Sequence, residues 1–136
     1  MKIKTIEIQN NGEQFYDITK KIKSINLEGD GILYLFLPHT SCGLCISEAF
    51  DPSAINDVKN FFNHLAPRNL SFITHTAEGP DDSPSHMKSI LLQQSLPLMV
   101  ENGEIVLGTW QGIYLAEFRD GEHVRKVHFK YLKDTN

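Results

Sequence analysis

Leu96-Pro97-Leu98-Met99-Val100-Glu101-Asn102-Gly103-Glu104-Ile105-Val106-Leu107 carries two strand-like runs separated by an Asn-Gly turn. Asn-Gly readily supplies the two positive-φ residues of a tight hairpin, so the runs are expected to fold back as antiparallel neighbours. The same device recurs downstream, where Gly112 to Arg119 and His123 to Leu132 flank Asp120-Gly121. A parallel pair would need a crossover of about a dozen residues or more, and these turns leave no room for one. Helical signals lie upstream. Asp17-Ile18-Thr19 opens a short helix with Ile18, Ile22 and Ile25 on one side. Asp51-Pro52 is a helix start, followed by the stripe Ile55, Val58, Phe62 and Leu65 and a stop before Pro67. Ser83-Pro84 repeats that start and predicts a helix through about Gln94. The reading is an α+β fold with a mixed, largely antiparallel sheet, two main helices and one short helix.

The remaining strands lie in the first half. Lys2 to Gln9 alternates, with Ile6 and Ile8 on one face and a partner at Gln14 to Tyr16 across Asn10-Asn11-Gly12. Ile32 to Leu37 is apolar at every position, the pattern of a central strand covered on both faces. Gly43 to Ser47 and Phe72 to His75 read as further strands, the latter followed by a polar loop from Thr76 to Asp82. Nothing repeats at a fixed period, and 136 residues with 40% hydrophobic side chains fit a single domain, residues 1–136.

Charge and hydropathy exclude several classes of function. Seventeen acidic and 13 basic residues give a formal charge of -4, which provides no general basic field for nucleic acid. The longest apolar stretch, Gly31 to Pro38, is far too short to cross a bilayer. Met1-Lys2-Ile3-Lys4 runs directly into a strand pattern rather than the apolar block of a secretory signal. A cytoplasmic protein with no membrane or nucleic-acid partner is expected. Cys42-Gly43-Leu44-Cys45 has redox or zinc spacing, but it opens a strand, where positions three apart face opposite ways. The two cysteines are therefore expected to be small, partly buried side chains.

The histidines are placed more tellingly. Of six, His39 follows a strand in a turn, His75 ends a strand and His86 sits in the first turn of a helix. Three imidazoles at such ends could form the open nitrogen face of a catalytic Zn²⁺ site. The competing reading makes them caps and hydrogen-bond partners. His64 reads as solvated, and His123 and His128, among Arg125, Lys126 and Lys130, as an exposed strand face. From His75 to His86, twelve residues hold two imidazoles and the carboxylates of Glu78, Asp81 and Asp82. Asp or Glu beside His suits metal binding or acid–base work, although an acidic surface loop has the same composition. No GxxxxGK[ST], GxGxxG or GxSxG pattern is present. Gly108-Thr109-Trp110-Gln111-Gly112 carries the sole Trp beside an amide, suited to stacking on a flat ring or to filling a core or interface. Arg119, two residues after Glu117, is a candidate phosphate clamp.

These stretches together resemble the YjbQ family, whose members are called secondary thiamine-phosphate synthase enzymes. The resemblance rests on Leu107-Gly108-Thr109-Trp110-Gln111-Gly112-Ile113 with Glu117-Phe118-Arg119, and on Pro38-His39-Thr40-Ser41 followed by Gly43, Glu48 and Asp51-Pro52. His75 through Asp81-Asp82 to His86 and Lys88 completes it. It implies an α+β subunit that forms a homotrimer with a site near the subunit boundary. Carried over residue by residue, His39, His75 and His86 become metal ligands or catalytic groups, with Glu48 and Asp82 as supporting carboxylates. Thr109, Trp110, Gln111 and Arg119 become substrate-binding residues. Ser47 departs from the family pattern, where Asn is frequent. The implied reaction joins a pyrimidine methyl diphosphate to a thiazole phosphate and expels pyrophosphate, which calls for a divalent ion. Imidazole ligands favour Zn²⁺, while diphosphate chemistry allows Mg²⁺. A metal-assisted hydrolase or phosphatase acting on a small phosphorylated metabolite, and a metal- or small-molecule-binding protein without turnover, are the alternatives.

Overall fold

The computed structural model describes residues 2–135, so Met1 and Asn136, the ends of the expected domain, lie outside the described residues. Eight strands and three helices follow in the order β1 (Lys4–Asn11), β2 (Gln14–Asp17), α1 (Thr19–Lys23), β3 (Gly31–Phe36), β4 (Cys42–Glu48) and α2 (Pro52–Leu65). After these come α3 (Asp82–Ser89), β5 (Ser95–Glu101), β6 (Glu104–Ile105), β7 (Gln111–Glu117) and β8 (Glu122–Lys133). The strands divide into a five-stranded sheet, β1-β8-β3-β5-β6, and a three-stranded sheet, β2-β7-β4. Every described strand pairing is antiparallel. At the β5–β6 turn Asn102 and Gly103 take φ of 51° and 77°, as a two-residue hairpin requires.

The sheets stack face to face, and alternation along β7 shows how. Ile113 and Leu115 point into the main core, where they join Leu44 of β4, Leu33 and Leu35 of β3, Leu98 and Val100 of β5, Ile8 of β1 and Val127 of β8. Tyr114 and Ala116 point the other way, into a second core with Phe15, Phe62 of α2 and Phe118. The layers are therefore large sheet, small sheet, helix. α2 starts as its sequence indicates: the Asp51 side chain accepts from the Ser53 N–H at 2.9 Å, with Pro52 in the first turn.

Several expectations change. The strand covered on both faces is β7, not Ile32 to Leu37: Leu33, Leu35 and Leu37 are buried, whereas Ile32, Tyr34 and Phe36 are 40–45% exposed. They stand on the outer face of the large sheet, which no helix among the described residues covers. α3 begins one residue before Ser83 and ends at Ser89 rather than Gln94. The reason lies in β4, whose Leu44 exchanges both backbone hydrogen bonds with Gln93 and so draws that residue out of the helix. Phe72 to His75 is not a strand; Ile73 N–H closes a turn onto the Leu70 carbonyl, and no sheet edge takes up the segment. No helix among the described residues is long and apolar enough to cross a membrane.

Candidate metal centre at the start of helix α3

Asp82, the first residue of α3, is the hub of the site. Its side chain is 4% exposed, with Oδ2 2.8 Å from His75 Nε2 and Oδ1 3.3 Å from His86 Nε2. Helical periodicity accounts for half of this arrangement, because Asp82 and His86 are four residues apart and share a face. The loop before α3 returns His75, so that the two imidazole rings lie 5.4 Å apart. One donor atom from each of His75, Asp82 and His86 lies within 4.8 Å of the others, close enough to share a single cation.

The surroundings orient these donors. His86 Nδ1 lies 2.8 Å from the Thr40 carbonyl, an acceptor only, so Nδ1 carries the proton. Nε2, facing Asp82, then has its lone pair free in the neutral ring. A ring N–H fixed on a carbonyl is the usual support of a metal-bound histidine. Two electron-pair donors facing each other also need a positive centre between them, either a metal ion or a second proton on the ring. Arg119 holds the acids: Nε donates to Asp81 Oδ2 at 2.8 Å, Nη1 to Asp82 Oδ1 at 3.0 Å and Nη2 to the Glu78 carbonyl at 3.1 Å. Burial works to raise the pKa of Asp81, but hydrogen bonds from Arg119 and the Asp120 N–H outweigh it and hold the carboxyl below its ordinary range.

The expected residues do not gather in one place. His39, read as a third nitrogen ligand, stands outside the cation-sharing set. Its Nε2 accepts from the Lys126 backbone N–H at 2.9 Å, so that lone pair is already used. It does line the same pocket of about 650 Å³, with Thr40, His75, Ser83, His86 and Ile90. Burial and the Arg125 guanidinium lower its pKa, which favours the neutral ring. Arg119 spends three donors on Asp81, Asp82 and Glu78, so it braces the acids rather than standing free as a phosphate clamp. Glu48 is at the far end of β4, roughly 20 Å from Cys42 by strand rise, and accepts from the Asp51 N–H at 3.2 Å. Thr109, Trp110 and Gln111 line a different cleft of about 560 Å³ with Phe50, Lys20 and Lys23. There Phe50 meets Trp110 edge to face at 4.8 Å, and Gln111 Oε1 accepts from the Gly108 N–H at 2.8 Å.

Sequence reading missed the supports beneath the site. Arg125, expected on an exposed face, is buried and paired with Glu117 and Ser41 next to the His39–Thr40 turn. Lys88 is 2% exposed, with Nζ 2.5 Å from Glu13 Oε2 and 2.6 Å from Asn63 Oδ1. A charge on an inward position of an alternating strand or helix was the available signal. Cys42 and Cys45 face the two different cores, and burial pushes their thiols up to about 12 and about 11. Neither is a ready thiolate.

The comparisons agree with this architecture. Residues 4–134 match the sequence model of the family described as UPF0047 protein YjbQ-like. A UPF0047 protein of Methanocaldococcus jannaschii is 42% identical over 128 residues, 92% of this chain and 89% of its own. The UPF0047 protein YjbQ of Escherichia coli O157:H7 is 40% identical, over 85% of this chain and 86% of its own. Among solved structures, a conserved hypothetical protein of Thermus thermophilus superposes with a TM-score of 0.87 at 39% identity, covering 95% of this chain and 99% of that one.

Proposed function

The chain belongs to the YjbQ-like UPF0047 family, and from that premise we propose that it is a small-molecule enzyme centred on a divalent metal ion. The carrying observation is the buried Asp82 carboxylate between His75 Nε2 and His86 Nε2, with His86 fixed through Nδ1 on the Thr40 carbonyl. Two imidazoles and one carboxylate suit zinc better than magnesium, which prefers oxygen donors. Such an ion, once bound, would leave a position open toward the pocket and polarise a phosphoryl oxygen or a water there. The protein's own part is to hold His86 in the ligating tautomer, to fix the Asp82 carboxylate in place through Arg119, and to shape the pocket around a small phosphorylated metabolite.

The transferase reaction implied by the resemblance, pyrimidine methyl diphosphate plus thiazole phosphate, is the first activity we assign for testing. A second reading, hydrolysis of a phosphorylated metabolite, is favoured by the commitment of Arg119 to Asp81 and Asp82, which leaves few free cations for a departing diphosphate. We further assign a homotrimer in the cytoplasm. Exposed Ile32, Tyr34, Phe36, Met99 and Leu132 on the outer face of the large sheet support association between subunits.

Elemental analysis of untagged protein, with His86→Ala beside it, tests the centre. About one zinc per chain, absent from the variant, is expected. No metal in the parent protein after soaking and desalting would overturn the proposal. Assays with the transferase pair and with simple phosphomonoesters then separate the two reactions, and metal uptake without turnover of either would leave a binding protein.

A further inference from the structure

The proposed centre uses His75, Asp82 and His86, which leaves His39 unassigned within the same pocket. Its ring is half-buried and anchored from one side only. Nε2 accepts the Lys126 N–H at 2.9 Å, and a backbone amide cannot accept in return. The proton of the neutral ring must therefore sit on Nδ1, which has no hydrogen-bond partner among the described residues. Burial and the positive charge of Arg125 disfavour a second proton. The pocket that His39 lines with His75 and His86 thus has one wall of lone pairs and carboxylate, and a neutral N–H donor on another residue.

We infer that His39 is an oxyanion-binding residue, whose Nδ1–H hydrogen-bonds a phosphoryl oxygen of the ligand in this pocket while the metal is held by the other three residues. The inference rests on the reading of His75, Asp82 and His86 as the metal set. A phosphoryl group meeting a metal held by those donors through one oxygen would keep further oxygens free, and one neutral N–H from a different element fixes its orientation without adding charge. His39 is well placed for that task, because Leu37 before it and Ser41 after it are both buried. The Lys126 N–H, part of the β8 backbone, keeps the ring from turning to present Nε2 instead.

Long-range ¹H–¹⁵N spectra of the histidine side chains, recorded during addition of zinc and then inorganic phosphate, test this directly. The expected result is a His39 ring protonated at Nδ1, with nitrogen signals that hold on zinc addition while Nε2 of His75 and His86 shift. Phosphate should then move His39 Nδ1. Two variants give a second readout: His39→Asn keeps an N–H donor near the Nδ1 position, and His39→Leu does not. Zinc content should be unchanged in both. Phosphate affinity should stay near the parent value in the Asn form and fall about tenfold or more in the Leu form. Zinc coordination by a His39 nitrogen, loss of zinc in His39→Leu, or full phosphate affinity in that variant would overturn the inference. If the parent protein takes up no zinc, the metal centre fails. Phosphate added to the metal-free protein then decides His39 separately: a response at Nδ1 sustains the donor, and none overturns it.

Discussion

Arg125 donates two hydrogen bonds of 2.6 Å each, from Nε and Nη2, to the two oxygens of the fully buried Glu117 carboxylate. The pair bridges the sheets, since Glu117 ends β7 and Arg125 lies on the inward face of β8. Ser41 Oγ, Asn10 Nδ2 and the Arg119 N–H complete the set. It sits under the turn that carries His39 and Thr40, and so fixes the carbonyl that orients His86. Removing one member leaves a buried charge without its partner. Glu117→Ala is expected to cost about 3–5 kcal/mol, and replacing both residues by apolar ones should recover part of that loss. Urea unfolding of the two single variants and the double variant checks it; a loss in the double variant equal to the sum of the two single losses would show no coupling.

Lys88 makes a similar tie on the opposite side of α3. Its ammonium meets Glu13 and Asn63 and lies 5.4 Å from the centroid of the Phe118 ring. Glu13 stands nearer the surface and can be rehydrated when the partner is lost. Lys88→Met should therefore cost only about 2 kcal/mol and leave the metal content unchanged. A variant of normal stability that had lost its metal would place Lys88 in the site instead.

Acid should destabilise the protein in two stages. His39 has a lowered pKa in the fold, so the unfolded chain binds its proton first; that contribution is complete above about pH 6.5 and is lost as pH falls through the folded value. Burial opposes ionisation of Glu117, but Arg125 and Asn10 more than compensate and lower its pKa. Hydrogen bonds likewise lower that of Asp81. Both carboxylates contribute stability above the ordinary carboxylate range, about 4, and lose it at lower pH. Thermal unfolding from pH 8 to pH 3 should show a shallow fall near pH 6 and a steeper one below pH 4. His39→Leu should remove only the first.

The β5–β6 hairpin was legible because Asn102-Gly103 announces a reversal locally. Asp120-Gly121 instead carries the chain from one sheet to the other, since β7 pairs with β2 and β4, and β8 with β1 and β3. Helix α2 was legible because Asp51-Pro52 supplies a cap in two residues. The core of the site was legible for the same reason: His75, Asp82 and His86 fall within twelve residues and need one helical turn to meet. What stayed hidden depends on distant pairing. The Lys126 N–H that claims His39 is 87 residues away in sequence. The order of motifs along the chain also carries no distance, so Glu48 and Trp110 read as neighbours of the histidines although β4 places them at its other end. The apolar run Ile32 to Leu37 misled because a strand facing solvent with Ile, Tyr and Phe looks, in sequence, like one packed on both sides.

Arg119 distinguishes a brace from a clamp. Its planar fork spans Asp81 and Asp82 at 2.8 and 3.0 Å, a geometry that a lysine ammonium cannot reproduce. If the role is to aim Asp82 at the two imidazoles, Arg119→Lys keeps the charge and loses the aim. Zinc affinity should then fall about 10- to 100-fold, the usual effect of removing a support behind a metal ligand. Phosphate affinity of the variant, once saturated with zinc, should change little. Competition against a chromophoric chelator measures the first quantity and calorimetric phosphate titration the second. The opposite pattern, zinc affinity intact and phosphate binding lost, would return Arg119 to the ligand and leave Asp82 positioned by α3 alone.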